Sequence, residues 1–508
     1  MFVFYLLLLV SQYIILNFLT DNAMNEEYDL ISGLENKNLF IFGMGKSGLS
    51  VLQKTHSFFK SVKALDTNPD YIKPAVLEEI TKKSNVELYI GEAEASRLNL
   101  LKDIDIFVVS PGISPDNELI KSAKRKKIPV VSEIEFAWQF MSENQKRNTI
   151  AVTGTNGKTT LTEFLGFAFN KAGKKAVTCG NIGNPLIDTF NFKHLSYRKD
   201  TYTEDDNIIR IMEISSFQLE NIISFNPFCS IILNITEDHI DRHRSMMNYA
   251  KTKFNISGFQ KEEDYLFLNL DDKYTRIIMR NSLFKNIRSK KIYFSLYKKK
   301  LSCLFSEDEV LYYDFDKKKG SINTSGRKLI GFHNISNILA GLGVLKIFGI
   351  EDIYIEKSVK EFNPLPHRLE FVGEINGIKC FNDSKATNPD ATIKALENFP
   401  GNITLILGGL DKGMDFSGLI PVLKRKVRNI ILIGACKSKL FDMLNQEKHS
   451  FDSVIISENL EEAVKTGIEI TEKGSFFLLS PSCASMDMFR DYKDRGNKFK
   501  KLLMEIKK

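Results

Sequence analysis

The chain has 508 residues, too many for one hydrophobic core, so about two to four domains are expected. Its composition, 43% hydrophobic and 26% charged, excludes a disordered or fibrous protein. The net charge of +7 comes from lysines spread along the whole length. Runs such as Lys124–Lys127, Lys298–Lys300 and Lys317–Lys319 have no aromatic platform beside them. They read as solvated loops, so no nucleic-acid partner is expected, while the mild positive balance suits small anionic substrates.

Residues 1–20, MFVFYLLLLVSQYIILNFLT, carry no charged side chain. As a helix they are long enough to span a bilayer. They lack a basic n-region and a small-residue cleavage site, and no Lys or Arg occurs before Lys37. Two readings of 1–23 stand: a membrane anchor, or a false start ahead of Met24. The false start is the expectation, with membrane contact only if residues 1–20 are expressed. Six cysteines without a C-x-x-C pair read as reduced thiols in a cytoplasmic protein.

From 24 to 145 short apolar runs alternate with helical stretches. NLFIFG (38–43), VKALD (62–66), VELYIG (86–91) and IDIFVVS (104–110) predict strands of a parallel sheet. GMGKSG (43–48) fits G-x-G-x-x-G between a strand and a helix, and Asp66 ends the next strand, where a dinucleotide fold keeps its ribose acid. SPGIS (110–114) is a second glycine turn on the same sheet edge. Together they point to a nucleotide-like ligand; the alternative is glycines that serve only tight packing.

From 146 to 363 a second unit begins with NTIAVTG (148–154) and continues through KAVTCG, IIRIMEIS and SIILNI. GTNGKTT (154–160) departs from G-x-x-x-x-G-K-[ST], because Val152 stands where the first glycine belongs. Strand, glycines, Lys158, Thr159 and helix still agree on a phosphate loop, with Lys158 for the outer phosphates and the Thr159 hydroxyl for Mg2+. Glu213 follows the next strand on the same edge and is a candidate hard ligand for Mg2+. His239, in NITEDHIDRH, is at that edge too, but imidazole is an unusual Mg2+ ligand. NYAKTKF (248–254) reads locally as a basic helix face with Lys251 and Lys253. From 264 to 330 the strands become short and lysine-rich, which predicts an antiparallel appendage. Asn334 and Asn337 then share one helix face, suited to an adenine edge or to a helix cap.

From 364 to 508 NITLILGG, NIILIG, DSVIIS and SFFLLSP predict a third parallel unit. FNDSKATNPDAT (381–392) and LLSPSCASMDMFRDYKDRGNKF (478–499) follow strands and are dense in polar groups. Anion binding at the helix start fits better than a Ser nucleophile, because no G-x-S-x-G elbow is present.

Taken in order, GTNGKT, EISSFQLE (213–220), LNITEDHIDRH (233–243), FNDSKATN (381–388) and LLSPSCASMDMF (478–489) resemble the Mur ligase family, in its D-glutamate-adding branch. The resemblance covers about residues 36 to 500. It implies an α/β chain of three domains, each around a mostly parallel sheet: a Rossmann-like UDP-binding domain, a central P-loop ATPase domain and a Rossmann-like amino-acid-binding domain. It implies ATP, two Mg2+ ions, and UDP-N-acetylmuramoyl-L-alanine and D-glutamate as substrates of a monomer. Gly45, Lys46, Ser47, Asp66, Thr67 and Gly112 would lie near the uridine nucleotide, and Asn181 would face the muramoyl-peptide side. Gly154, Thr155, Asn156, Gly157, Lys158, Thr159 and Thr160 would hold phosphates, and Asn334 and Asn337 adenine. Arg368 and Asp383 would close on ATP. Thr159, Glu213, His239 and a carbamylated Lys253 would hold metal. Lys385, Thr387, Lys412 and Ser485 would bind D-glutamate, with Tyr492 where the family often has Phe. The strands of 280–330 match poorly and receive no function. Other readings are a polyglutamate ligase or a membrane-tethered ATP-binding protein.

Overall fold

The computed structural model describes residues 30–68, 74–91, 97–190, 207–329 and 331–506. Residues 1–29, which hold the apolar stretch 1–23 and Met24, lie outside them. Among the described residues, no helix is long and apolar enough to cross a membrane.

Three sheets follow one another along the chain. The first contains β1 (Asn38–Phe42), β2 (Ser61–Asp66), β3 (Val86–Ile90), β4 (Ile106–Val109) and β5 (Val130–Ser132), in the order 3-2-1-4-5 and all parallel. The order reverses between β1 and β4, which opens a crevice at their carboxyl ends. The GMGKSG and SPGIS turns sit there. The β5 strand, only three residues long, escaped the sequence reading.

The second sheet has nine strands. Its parallel part holds β6 (Thr149–Thr153), β7 (Ala176–Gly180), β8 (Ile209–Glu213), β9 (Cys229–Ile232), β10 (Tyr265–Asn269) and β11 (Lys290–Ser295). Every residue of β6, β8, β9 and β10 is buried, as expected of strands covered on both faces. The helix Lys158–Lys171 covers one face and packs on the helix Phe332–Ile347. Phe164, Leu165 and Phe169 are fully enclosed there, each worth about 1.5–3 kcal/mol of burial. That packing fixes the start of the helix, and with it the phosphate loop.

The antiparallel appendage expected for 264–330 is smaller than the sequence reading held. β10 and β11 continue the parallel sheet, and β12 (Leu304–Glu307) joins β11 in parallel. Only β13 (Val310–Phe315) and β14 (Lys318–Asn323) run antiparallel to their neighbours. The reason lies in YLFLN, whose side chains are buried on both faces, whereas the later strands alternate inward and outward.

The third sheet runs β15 (Glu370–Ile375), β16 (Ile378–Asn382), β20 (Phe476–Leu479), β17 (Ile403–Gly408), β18 (Val427–Ile433), β19 (Ser453–Ile456). It is parallel except for the β15–β16 hairpin, which the sequence reading did not separate. Asn376 and Gly377, both at positive φ, form its two-residue turn. β16 and β20 are parallel neighbours, with Asn382 opposite Leu479. The two polar segments of this unit therefore leave the sheet side by side.

Candidate active site

At the first crevice the Asp66 carboxylate accepts hydrogen bonds from the backbone N–H of Met44 and of Asn68. It braces the glycine turn from behind. Gly48 is required by close approach, since a Cβ there would strike the Gly43 carbonyl. Gly45 and Lys46 are exposed and Ser47 half-buried at the start of the helix Lys46–Thr55. Lys46 reaches into the second unit, to the Gly183 carbonyl and Asn184 Oδ1. Thr67 follows β2, and Gly112 is exposed in the turn after β4.

The second crevice is at the carboxyl end of β6. Gly157 there has φ +89°, and a Cβ would lie 2.5 Å from Asn337 Oδ1. The loop and the helix Phe332–Ile347 thus meet at a glycine, and Asn337 is buried beneath the loop with Asn334 Oδ1 3.4 Å away. Thr159 and Thr160 are buried at the helix start, and Thr155 Oγ1 donates to the Thr236 carbonyl at 3.0 Å. Asn156 N–H donates to Asn234 Oδ1 at 2.9 Å.

Two lysines converge on this loop. Lys158 Nζ donates to the carbonyls of Gly154 and Thr155, each at 2.8 Å. Lys253 Nζ donates to the same Gly154 carbonyl at 3.0 Å and stands 4.4 Å from the centre of the Tyr249 ring. The local reading of Lys253 as part of an exposed basic face is corrected: the side chain is 1% exposed. Burial and the neighbouring Lys158 charge hold its ammonium far below the ordinary lysine range, against Asp238 and Glu213. Burial lowers Lys158 as well, opposed by Glu213 and Asp238.

Glu213, 2% exposed, ends β8. Its Oε1 accepts from Asn181 Nδ2 at 2.9 Å, while Oε2 is buried with no partner among the described residues. A carboxylate oxygen left in that state is costly unless a cation or donor meets it. His239 adopts φ 55°, with Nε2 3.6 Å from Asp238 Oδ2 and its ring against Phe217. Burial pushes its pKa down to about 4, so the ring is neutral and has a lone pair to offer. Among the described residues, no three His, Cys, Asp or Glu side chains form a metal cluster. The Glu213 carboxylate and the Thr159 hydroxyl are oxygen donors of the kind Mg2+ takes, and the His239 ring is a nitrogen donor beside them in the sequence reading.

The third unit supplies the opposite wall. Asp383 is buried, accepts from Ser480 Oγ at 2.8 Å and from Leu369 N–H at 3.2 Å, and burial pushes its pKa up to about 7. Arg368 lies between His367 and Leu369, both at positive φ, a strained approach that aims its guanidinium into a field set by Glu213 and Asp383. Lys385 Nζ stands 3.8 Å from the centre of the Tyr492 ring, and burial followed by the Arg368 charge lowers its pKa to about 7. Thr387 is half-buried and Ser485 buried. Lys412 is not poised alone for a substrate carboxylate: its Nζ pairs with Asp238 Oδ1 at 3.2 Å. Lys158, Glu213 and Asp238 of the second unit thus lie within electrostatic reach of Arg368, Lys385 and Lys412 of the third. The residues expected around the uridine nucleotide lie at the first sheet, and Lys46 ties that sheet's crevice to the Gly183–Asn184 loop after β7.

Several groups in this cleft were missed. Asp238 balances Lys412 and Lys158; its only signal was an acid beside His239. Arg495 is fully buried and donates to Ser384 Oγ and to the carbonyls of Ser384, Cys483 and Ala484, at 2.8–3.4 Å. It staples the two polar segments together from the helix Tyr492–Ile506.

Three family models match: Mur ligase MurD-like, N-terminal domain, at 37–132; Mur ligase middle domain at 152–345; and Mur ligase, glutamate ligase domain, at 367–483. A relative from Caldanaerobacter subterraneus subsp. tengcongensis is 38% identical over 475 residues, covering 94% of this chain and all of its own. One from Clostridioides difficile is 34% identical, covering 93% of this chain and 100% of its own. Both are named UDP-N-acetylmuramoylalanine--D-glutamate ligase. The fold is shared with a UDP-N-acetylmuramate-alanine ligase from Thermotoga maritima at TM-score 0.55 and 16% identity, over 92% of this chain and all of that one. It is also shared with a murein peptide ligase from Psychrobacter arcticus at TM-score 0.52 and 16% identity, over 93% and 99%. The chain belongs to the Mur ligase family, in its UDP-N-acetylmuramoylalanine:D-glutamate ligase branch.

Proposed function

We propose that this chain adds D-glutamate to UDP-N-acetylmuramoyl-L-alanine, using ATP and releasing ADP and phosphate, as a cytoplasmic monomer in peptidoglycan precursor synthesis. The observation that carries the reading is the convergence of Lys158, Lys253, Glu213 and Asp238 at the phosphate loop, facing Arg368 and Lys385 of the third unit. The working domain bounds are 24–145, 146–363 and 364–508.

A carboxylate is a poor acceptor for an amine because its oxygen leaves badly. Transfer of the γ-phosphoryl group to the alanyl carboxylate makes an acyl phosphate and ADP. The D-glutamate amine then attacks the carbonyl, phosphate departs and the amide forms. Two Mg2+ ions would be held by Thr159 and Glu213 and by His239 and Lys253, and supply charge neutralisation between the two reacting anions. The orphaned Glu213 oxygen supports that donor set. Lys158 neutralises phosphate charge from the helix start. The buried, weakly basic Lys253 amine is the form that adds CO2, releasing a proton to leave a carbamate oxygen donor. Lys385, Thr387, Ser485 and the Tyr492 backbone orient D-glutamate; Asn334 and Asn337 read adenine. Gly45, Lys46, Ser47, Thr67, Gly112 and Asn181 hold the uridine and muramoyl ends. Fixing three substrates in line removes much of the entropic barrier.

The test is ADP release with each substrate omitted in turn. Release that requires both UDP-N-acetylmuramoyl-L-alanine and D-glutamate is expected. ATP binding without such turnover would defeat the proposal. Lys253→Ala is expected to lose activity and regain part of it with added short-chain carboxylic acids; full activity without them would reject the carbamate.

A further inference from the structure

Asp390 belongs to the polar stretch 381–392 but has been given no role so far. It sits in the first turn of the helix Pro389–Leu396, which Asn388 caps. One oxygen, Oδ2, accepts three hydrogen bonds: from Asn156 Nδ2 of the phosphate loop at 2.7 Å, from Thr236 Oγ1 at 3.0 Å, and from Lys394 Nζ of its own helix at 2.7 Å. Asn388 Nδ2 adds a bond to Asn156 Oδ1 at 3.3 Å.

The pattern continues along the chain after β9. Glu237 Oε1 accepts from the backbone N–H of Asp415 at 3.2 Å, and Asp238 Oδ1 accepts from Lys412 Nζ at 3.2 Å. Three consecutive residues, 236 to 238, therefore each grip the third unit, and His239 comes next. All these contacts are polar, and the Asp390 and Lys394 side chains keep about a quarter of their surface exposed. Such a seam can open and close, unlike an apolar one.

We propose that Asp390 is a positioning residue whose carboxylate latches the third unit onto the phosphate loop and the 236–239 loop for ligation. This rests on the ligase reading above. The carboxylate suits the task because one oxygen can take several donors, and the Lys394 ammonium offsets its charge. Closing the latch sets the register between the amino-acid side and the phosphate side of the cleft.

The test is a double-mutant cycle with Asp390→Ala and Thr236→Val in the full chain. Asp390→Ala is expected to lower kcat by roughly tenfold to a hundredfold, as small misplacements do, with ATP binding in the absence of the other substrates unchanged. Asp390→Asn, which keeps one acceptor, recovers part of the loss. Thr236→Val should cost less in the Asp390→Ala background than in the parent, because both act through one contact. Unchanged kcat, or fully additive losses, would overturn the latch. Small-angle scattering of the ATP-bound protein reads the seam without turnover. The Asp390→Ala protein should be more expanded than the parent, and an equal radius of gyration would overturn the proposal even if the parent shows no D-glutamate-dependent activity.

Discussion

The two glycine turns of this chain, 43–48 and 154–159, share a backbone device and differ in charge. Each lies between a strand and a helix at the carboxyl edge of a parallel sheet. At the first, the one acid is used on backbone N–H groups and the one lysine points into the next domain. At the second, two lysines bond the same carbonyl and carboxylates stand behind them. On the proposed reading a glycine turn serves recognition in one place and charge neutralisation in the other, although Gly45 caps its helix in extended backbone and Gly157 at positive φ. What separates binding from chemistry is the set of charged side chains buried around the turn.

The largest difference between the two turns is expected at their lysines. Lys158→Met is expected to lower kcat by about 100- to 1,000-fold, while Lys46→Met acts mainly on KM for the uridine substrate. Steady-state kinetics with each substrate varied checks this, and equal effects on kcat would erase the distinction.

The glycines sharpen it. Gly157→Ala places a Cβ against Asn337 at positive φ, costing roughly 1–2 kcal/mol from backbone conformation alone. Gly45→Ala meets nothing within 4 Å at negative φ and should stay within about 0.5 kcal/mol of the parent. Urea midpoints of the two variants decide. At the first turn, Asp66→Ala should raise KM for the uridine substrate about tenfold and leave kcat near the parent value, because a bracing carboxylate is lost far from the reacting atoms.

The smallest expected effect concerns the joint between the two turns. Glu133 is buried and accepts from Ile187 N–H at 2.8 Å, and burial pushes its pKa up to about 7. The folded protein therefore holds this proton more tightly than the unfolded chain does. The stabilisation is full below pH 4.5 and is lost as pH rises towards 7. In Glu133→Gln that decline should flatten, which urea midpoints at pH 5 and pH 8 measure.

Much of this was legible in the sequence where signals are local. Buried parallel strands announce themselves as apolar runs, and GTNGKTT names its own anion site. Lys253 was not legible locally, because its burial depends on a Gly154 carbonyl 99 residues away. Only the family resemblance gave it a role. Asp390, Arg495 and Asp238 were missed for the same reason: their partners come from distant segments. The β10–β11 continuation was misread because lysines at the exposed ends of strands masked their buried centres.

On the proposed reading the cleft joins D-glutamate to an activated carboxylate. The most direct measurement is ADP release with ATP, Mg2+ and UDP-N-acetylmuramoyl-L-alanine across a panel of D-glutamate, L-glutamate and diaminopimelate. Turnover with D-glutamate alone is predicted. Equal turnover with L-glutamate or diaminopimelate would contradict the account.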